Sequence, residues 1–247
     1  KQYGLEPNLD KTVHMKIRNE ADILTPSGSP LKCVEQAVYL GGLITANGTS
    51  TAAVTRRIGE AQGSFLKLTK VWKHTGLTKQ RKLTIYRACV VSKLLYSLEV
   101  LCLKKAERDR IDAFHARCLR QVLGIPHSMI SHVSNASVLG QAAEIRLSTN
   151  LLIKQLDLFG RLARMGDDNI LRNSVLSPSV VSPITFIGKR RQGRPRLTWV
   201  SVVYAQALSI AGGSLQQLQN LLCATPVHTA FWKETVRKHV LQDMLGN

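Results

Sequence analysis

Apolar and polar side chains alternate at two places near the start of the chain. In Val13-His14-Met15-Lys16-Ile17 every second position is apolar, the period of a strand with one face covered. A second apolar run, Val38-Tyr39-Leu40-Gly41-Gly42-Leu43-Ile44-Thr45, ends at the turn dipeptide Asn47-Gly48, and Thr25-Pro26-Ser27-Gly28-Ser29-Pro30 between the runs has loop composition. From Thr49 the period changes to that of a helix. Val54, Ile58, Ala61, Phe65, Leu68 and Trp72 fall on one face and predict a helix to about Trp72, with Thr49, Ser50 or Thr51 as its cap. A second helix is expected from about Thr78 to Leu101, and a third from Lys104 to Leu123, stopped by Gly124-Ile125-Pro126. The same spacing returns at Leu147–Met165, and again at about Thr198–Ala211, Leu215–Cys223 and Thr229–Leu245. Residues 166–195, with Asp167-Asp168 and two Ser-Pro steps, read as a linker that ends in a basic arm.

The pattern predicts a mainly α chain with a small N-terminal antiparallel β element. Four parts are expected: the β element (1–48), a basic helical bundle (49–126), a helical connector and linker (127–187), and a basic arm with C-terminal helices (188–247).

Charge narrows the choice of partner. The 247 residues carry 34 Lys and Arg against 16 Asp and Glu, a formal net charge of +18 that fits a polyanion such as RNA or DNA. Sixteen of the basic residues lie between Arg56 and Arg120, against five acids. Arg56, Arg57, Lys67, Lys70, Lys73, Lys79, Arg81, Lys82 and Arg87 are the candidates to track a phosphate backbone, which needs cations and no sequence code. Such a run otherwise reads as a solvated helix face, but interleaved acids are scarce here. Trp72, Tyr86 and Tyr96 lie on or beside apolar stripes and are expected in the core. In the arm, Lys189, Arg190, Arg191, Gly193, Arg194, Pro195 and Arg196 place a Gly-Arg-Pro step among cations, similar to the core of an AT-hook, and an extended arginine of this kind enters a narrow minor groove.

Other chemistry finds little support. No apolar run approaches the length of about 20 residues that a spanning helix requires, so no membrane partner is expected. Five cysteines, an odd number without a Cys-x-x-Cys pair, point to free thiols in a reducing, intracellular setting, nucleus or cytoplasm. His115 and Cys118 form half of a zinc-ligand pattern with no second pair, and Asp167-Asp168 follows a helix end and reads as a solvated turn, so no metal site is expected. The chain opens on Lys1-Gln2-Tyr3-Gly4 without an initiator Met, which suggests a portion of a longer product.

Five motifs in order resemble the C-terminal part of a LINE-type, non-LTR retrotransposon reverse transcriptase. Gly4-Leu5-Glu6-Pro7-Asn8-Leu9-Asp10-Lys11-Thr12 resembles the segment that follows the catalytic hairpin, and Val38–Ile44 resembles the Tyr-Leu-Gly hairpin used as a primer grip. Ile111–Ile125 and Phe159–Met165 fit the intermediate segments, and Gly188–Trp199 resembles the basic tail. The resemblance implies the end of a palm, a helical thumb and a basic extension. It gives Tyr39, Leu40 and Gly41 a primer-positioning role and Lys11 an auxiliary one near the leaving pyrophosphate. The paired carboxylates that hold magnesium in those enzymes have no counterpart in these residues, so binding of RNA and DNA without polymerisation is expected, with the N-terminal polymerase part missing. The rival reading is a non-enzymatic basic DNA- or RNA-binding protein. A decaying element with no selected role is a third reading, to which Pro7 and the helix-weakening Gly59 and Gly63 contribute.

Overall fold

Two short strand pairs precede the helices in the computed structural model, which describes residues 8–17, 21–25, 27–74, 76–184, 197–223 and 225–245. Strand β1 (Val13–His14) pairs with β2 (Lys32–Cys33) in parallel, and β3 (Gln36–Tyr39) pairs with β4 (Gly42–Thr45) antiparallel. The antiparallel element is therefore the second pair alone. The Lys16–Asp22 ion pair (2.8 Å) and the Leu24–Pro30 bridge lie between the two strands of the first, parallel pair. The second apolar run folds back on itself at Leu40-Gly41 instead of continuing to Asn47-Gly48. Asn47 Oδ1 accepts from the Thr49 N–H (3.0 Å) and leads into the first helix.

Helix α1 (Thr51–Lys67) carries the expected stripe, with Val54, Ala61 and Phe65 buried. It stops at Leu68, four residues earlier than its apolar pattern suggests, and a short α2 (Thr69–Lys73) follows. The break lets Trp72 turn back: its indole stacks on Phe65 at 5.1 Å and its Nε1–H donates to the Phe65 carbonyl (2.9 Å). Ser50 stands at the N-cap, yet its hydroxyl donates to Glu107 (2.7 Å) and does not cap the helix.

Thr78 opens the next helix by accepting from the Arg81 N–H (3.3 Å). This helix runs as α3 (Lys79–Tyr86), a π turn (Arg87–Val91) and α4 (Ser92–Leu95). It ends six residues before Leu101, because Tyr96 is extended and Ser97 is left-handed (φ 60°), and a 3₁₀ turn at Leu98–Val100 then buries Leu98. Helix α5 (Lys105–Leu123) ends as expected at Gly124, whose φ of +72° closes a Schellman-type cap with Ile125 N–H on Arg120 O. Helices α6 (Ser128–Ser131), α7 (Asn135–Ala142), α8 (Leu147–Ala163) and α9 (Ile170–Asn173) follow, and then α10 (Trp199–Ile210), α11 (Leu215–Leu221) and α12 (Pro226–Leu245).

Two hydrophobic cores meet inside α8. Leu147 and Leu151 belong to the core built from α1, α3, α5 and α7, and Leu156 and Phe159 belong to the core under α10–α12. The two clusters divide in the middle of α8. Asp112 of α5 fixes the start of α8 by accepting from Ser148 N–H (2.9 Å) and Ser148 Oγ (2.6 Å). Trp199 Nε1–H to Glu99 O (2.7 Å) and Gln155 to Leu101 O (2.9 Å) tie the two cores together.

Three buried polar groups stiffen the first core. Glu107 accepts from Ser50, Thr51 (2.7 Å each) and the Lys104 N–H (2.8 Å), which locks the start of α1 to the start of α5. Burial pushes its carboxyl up, but these donors outweigh it and hold the pKa below the usual value. His115 Nδ1 pairs with the Tyr86 hydroxyl (2.8 Å), and burial pushes its pKa down to about 4. The Cys118 thiol is driven up to about 12 by the same burial. His115 and Cys118 are thus core groups beside Tyr86.

Both Gly59 and Gly63 lie within α1 with open space where a Cβ would stand, so Gly59→Ala and Gly63→Ala should each stabilise the chain by up to about 1 kcal/mol, read as a shift of the urea midpoint. Acid should act in the opposite direction. Between pH 6.5 and about 4 the unfolded His115 binds a proton that the folded one does not, so stability is whole above pH 6.5 and falls by roughly 3 kcal/mol toward pH 4. Glu107, with a lowered pKa, extends that loss below its ordinary carboxylate value. The slope of unfolding free energy between pH 6.5 and 5 should shrink in His115→Gln; an unchanged slope would assign it to other groups.

Candidate nucleic-acid interface

The Leu40-Gly41 turn is the sharpest feature of the N-terminal part. Both residues have positive φ, 46° and 77°, the signature of a type I′ turn in a two-residue hairpin. Left-handed backbone at a leucine costs about 1 kcal/mol, so the turn needs support. Support comes from the helices. Arg57 of α1 donates from Nη2 to the Gly41 carbonyl (2.5 Å), and the Tyr96 hydroxyl donates to the Leu40 carbonyl (2.9 Å). The Arg57 guanidinium lies 4.8 Å from the Tyr96 ring centroid, within cation–π range, and Nη1 reaches Glu60 (2.8 Å). A Cβ at Gly41 would press on the Tyr96 ring at 3.1 Å, so glycine is required there for approach as well as for φ.

These contacts hold an apolar tip out in solvent. Leu40 is 77 % exposed and Tyr39 67 %, while Arg57 is only 7 % exposed. Arg57 therefore stands apart from the other helical cations: it is spent on bracing the hairpin and is not free to meet a phosphate. Tyr96, expected in the core, is 53 % exposed and acts as the second brace. No local pattern signals this role, because it depends on the helix ending at Leu95. Trp72 and Tyr86 are buried as expected.

The remaining helical cations divide by partner. Arg56 is bound to Glu60 (2.9 Å), Lys82 donates to the Trp72 carbonyl (2.7 Å) at the end of α2, and Arg87 pairs with Glu144 (2.6 Å). Lys67, Lys70, Lys73, Lys79 and Arg81 are exposed and have no hydrogen-bond or ion-pair partner among the described residues. They follow one another across the end of α1, all of α2 and the start of α3. No Asp or Glu occurs between Glu60 and Glu99, so this corner of the bundle has no carboxylate of its own to neutralise it. Lys67 lies ten residues beyond Arg57, roughly 15 Å along the same helix. One rigid element therefore carries the hairpin brace near one end and the cationic corner at the other.

Lys11 is exposed on an Asn8 turn just before β1, where its N–H donates to Asn8 Oδ1 (3.1 Å), and its ammonium has no partner among the described residues. Lys189, Arg190, Arg191, Gly193, Arg194, Pro195 and Arg196, along with Gly4–Pro7 of the first motif, lie outside the described residues. The Asp167-Asp168 pair does not suit two magnesium ions: Asp167 is taken by Arg172 (3.1 Å) and Ser179 (3.1 Å), and both residues sit in the turn before α9. No group of three or more His, Cys, Asp or Glu suited to a metal ion occurs among the described residues, and none of their helices is long and apolar enough to cross a membrane. Comparison of the chain with protein-family models, curated proteins and solved structures gives no match.

Replacing Arg57 with Ala should cost about 2–3 kcal/mol, because it strands the Gly41 carbonyl and removes a charged hydrogen bond from a buried site. Leu40→Asn should do the opposite and gain up to about 1 kcal/mol, since asparagine tolerates the left-handed turn and the leucine side chain is solvated. Urea unfolding of the two variants checks both signs.

Proposed function

We propose that this chain is the template–primer-binding, C-terminal portion of a non-LTR retrotransposon reverse transcriptase. The observation that carries the reading is the acid-free corner formed by Lys67, Lys70, Lys73, Lys79 and Arg81 on the same bundle that braces the Tyr39-Leu40-Gly41 tip. In this reading the corner tracks the phosphate backbone, and the tip, whose main chain is fixed by Arg57 and Tyr96, abuts the primer end. Lys11 takes an auxiliary place beside it. The chain supplies binding; the paired carboxylates and their magnesium belong to a part of the polymerase outside these residues. The fold and the free cations support nucleic-acid binding equally in the rival reading, a non-enzymatic basic protein, and the ordered motifs favour the polymerase.

Binding of the purified chain to an RNA–DNA template–primer, to duplex DNA and to heparin across a salt series tests the proposal. Affinity for the template–primer should exceed that for heparin and fall steeply with salt. Reversing Lys67, Lys70 and Lys73 to Glu should weaken binding and flatten the log–log salt slope by about 3, close to one for each cation. Equal affinity for all three polyanions would leave only a generic basic protein, and an unchanged slope in the triple variant would remove the corner from the interface.

A further inference from the structure

We propose that α8 and α12 form a second phosphate-binding face, centred on Arg161, Arg164, Lys233 and Arg237, that grips a nucleic-acid backbone away from the basic corner of the first bundle. The inference rests on the nucleic-acid half of the proposed function and not on its polymerase half.

Close packing of the two helices creates the face. Gly160 of α8 lies directly under Trp232 of α12, where a Cβ would overlap the indole, and Trp232 Nε1–H donates to the Leu156 carbonyl (3.1 Å). Trp232, Val236 and Val240 point into the second core, so Lys233 and Arg237, each one position after a core residue, flank the seam and are exposed. On α8, Asp157, Arg161 and Arg164 recur at i, i+4 and i+7 and line one side of that helix. The Arg164 guanidinium reaches back over Gly160, with Nη1 3.2 Å from the position of its missing Cβ.

Charge on this ridge is unbalanced. Lys233, Arg237, Arg161 and Arg164 all act on Asp157, four positive charges against one, and the neighbouring Glu234 is paired with Lys238 (2.8 Å). Even Asp157 makes no hydrogen bond through Oδ1, and Arg164 Nη1 is likewise buried without a partner among the described residues. Arg164 Nη1 is shielded from solvent and adds charge to the ridge, while the exposed Arg161, Lys233 and Arg237 supply the donors that a phosphate oxygen can reach. Two cations on each of two packed helices suit an extended polyanion better than a single small anion, since Lys233 and Arg237 alone are about 6 Å apart along α12.

An acidic membrane surface fits less well. A membrane-lying helix buries a broad, unoccupied apolar face in the lipid and keeps its cations on the polar side. The apolar face of α12, with Trp232, Val236 and Val240, is taken up by the second core; of its exposed apolar residues Val227 and Phe231 lie roughly 80–160° around the helix from Lys233 and Arg237, beside α10 and α11, and Leu241 falls on the cationic side.

The test uses the full chain with duplex DNA and an RNA–DNA heteroduplex across a salt series. Lys233→Ala combined with Arg237→Ala should weaken binding and lower the salt slope by about 2, and Asp157→Asn, which removes only the opposing charge, should tighten binding several-fold and steepen the slope. Opposite signs from neighbouring positions separate a phosphate contact from a loss of fold, and thermal unfolding of both variants verifies the latter. Unchanged slopes in both variants would overturn this face while leaving the Lys67, Lys70 and Lys73 corner intact if its triple variant still fails. Preference of the wild-type chain for phosphatidylserine vesicles over either nucleic acid would overturn it in favour of a lipid surface, and absence of nucleic-acid binding by the wild type would overturn both assignments.

Discussion

A single buried guanidinium determines how the N-terminal part sits on the helices. Arg57 holds the Gly41 carbonyl, Glu60 and the face of Tyr96 at once, and a Ser97 hydroxyl 3.4 Å from Nη2 completes its surroundings. Its partners come from β-hairpin, helix and the reversal after α4, three pieces distant in sequence. Without it, Leu40 would be held left-handed by the turn and the Tyr96 hydroxyl, and the Gly41 carbonyl would lose its donor. The hairpin therefore inherits its position from α1, and α1 inherits its own from the core and from the Glu107 latch at its start. A small two-stranded element, marginal in isolation, becomes rigid because helices supply the donors it lacks.

The same chemistry separates working cations from structural ones. Arg57, Arg120 and Arg172 are buried, and each directs guanidinium donors to a backbone carbonyl and a nearby side chain, although Arg120 Nη1 and Arg172 Nε have no partner among the described residues. Desolvating these charges is affordable only because every one has partners. Where the chain provides no carboxylates, from Glu60 to Glu99, the lysines of α1 and α2 stay solvated and unpaired. Net charge alone thus overstates the binding surface. It is the distribution of partners that leaves a corner, and a second ridge on α8 and α12, free to take an external anion.

Most helices were legible in the order of apolar residues. The stripe through Val54, Ala61 and Phe65, the Gly124 stop and the Leu147–Ala163 helix all follow from local spacing and capping chemistry. Failures occur where tertiary contacts override that spacing. Leu68 breaks α1 so that Trp72 can stack on Phe65, and Tyr96 leaves the helix although Leu98 and Leu101 continue its pattern. The parallel β1–β2 pair was also hidden, because side-chain alternation within a strand carries no information on its direction relative to a partner. For the candidate interface, Glu60 at helical spacing from Arg56 and Arg57 separates these paired cations from Lys67 and Lys70, which have no acid within a turn, but the reach of Arg57 to the Gly41 carbonyl has no local signal. The seam at Gly160 and Trp232 joins residues far apart in sequence and leaves no local signal.

Amide hydrogen exchange on the full chain, with and without an RNA–DNA template–primer, tests the central claim most directly. Nucleic acid should slow exchange together in residues 36–45 and 67–81, the hairpin and the cationic corner, because one rigid bundle presents both. Protection confined to other segments, or unchanged in both, would contradict the account.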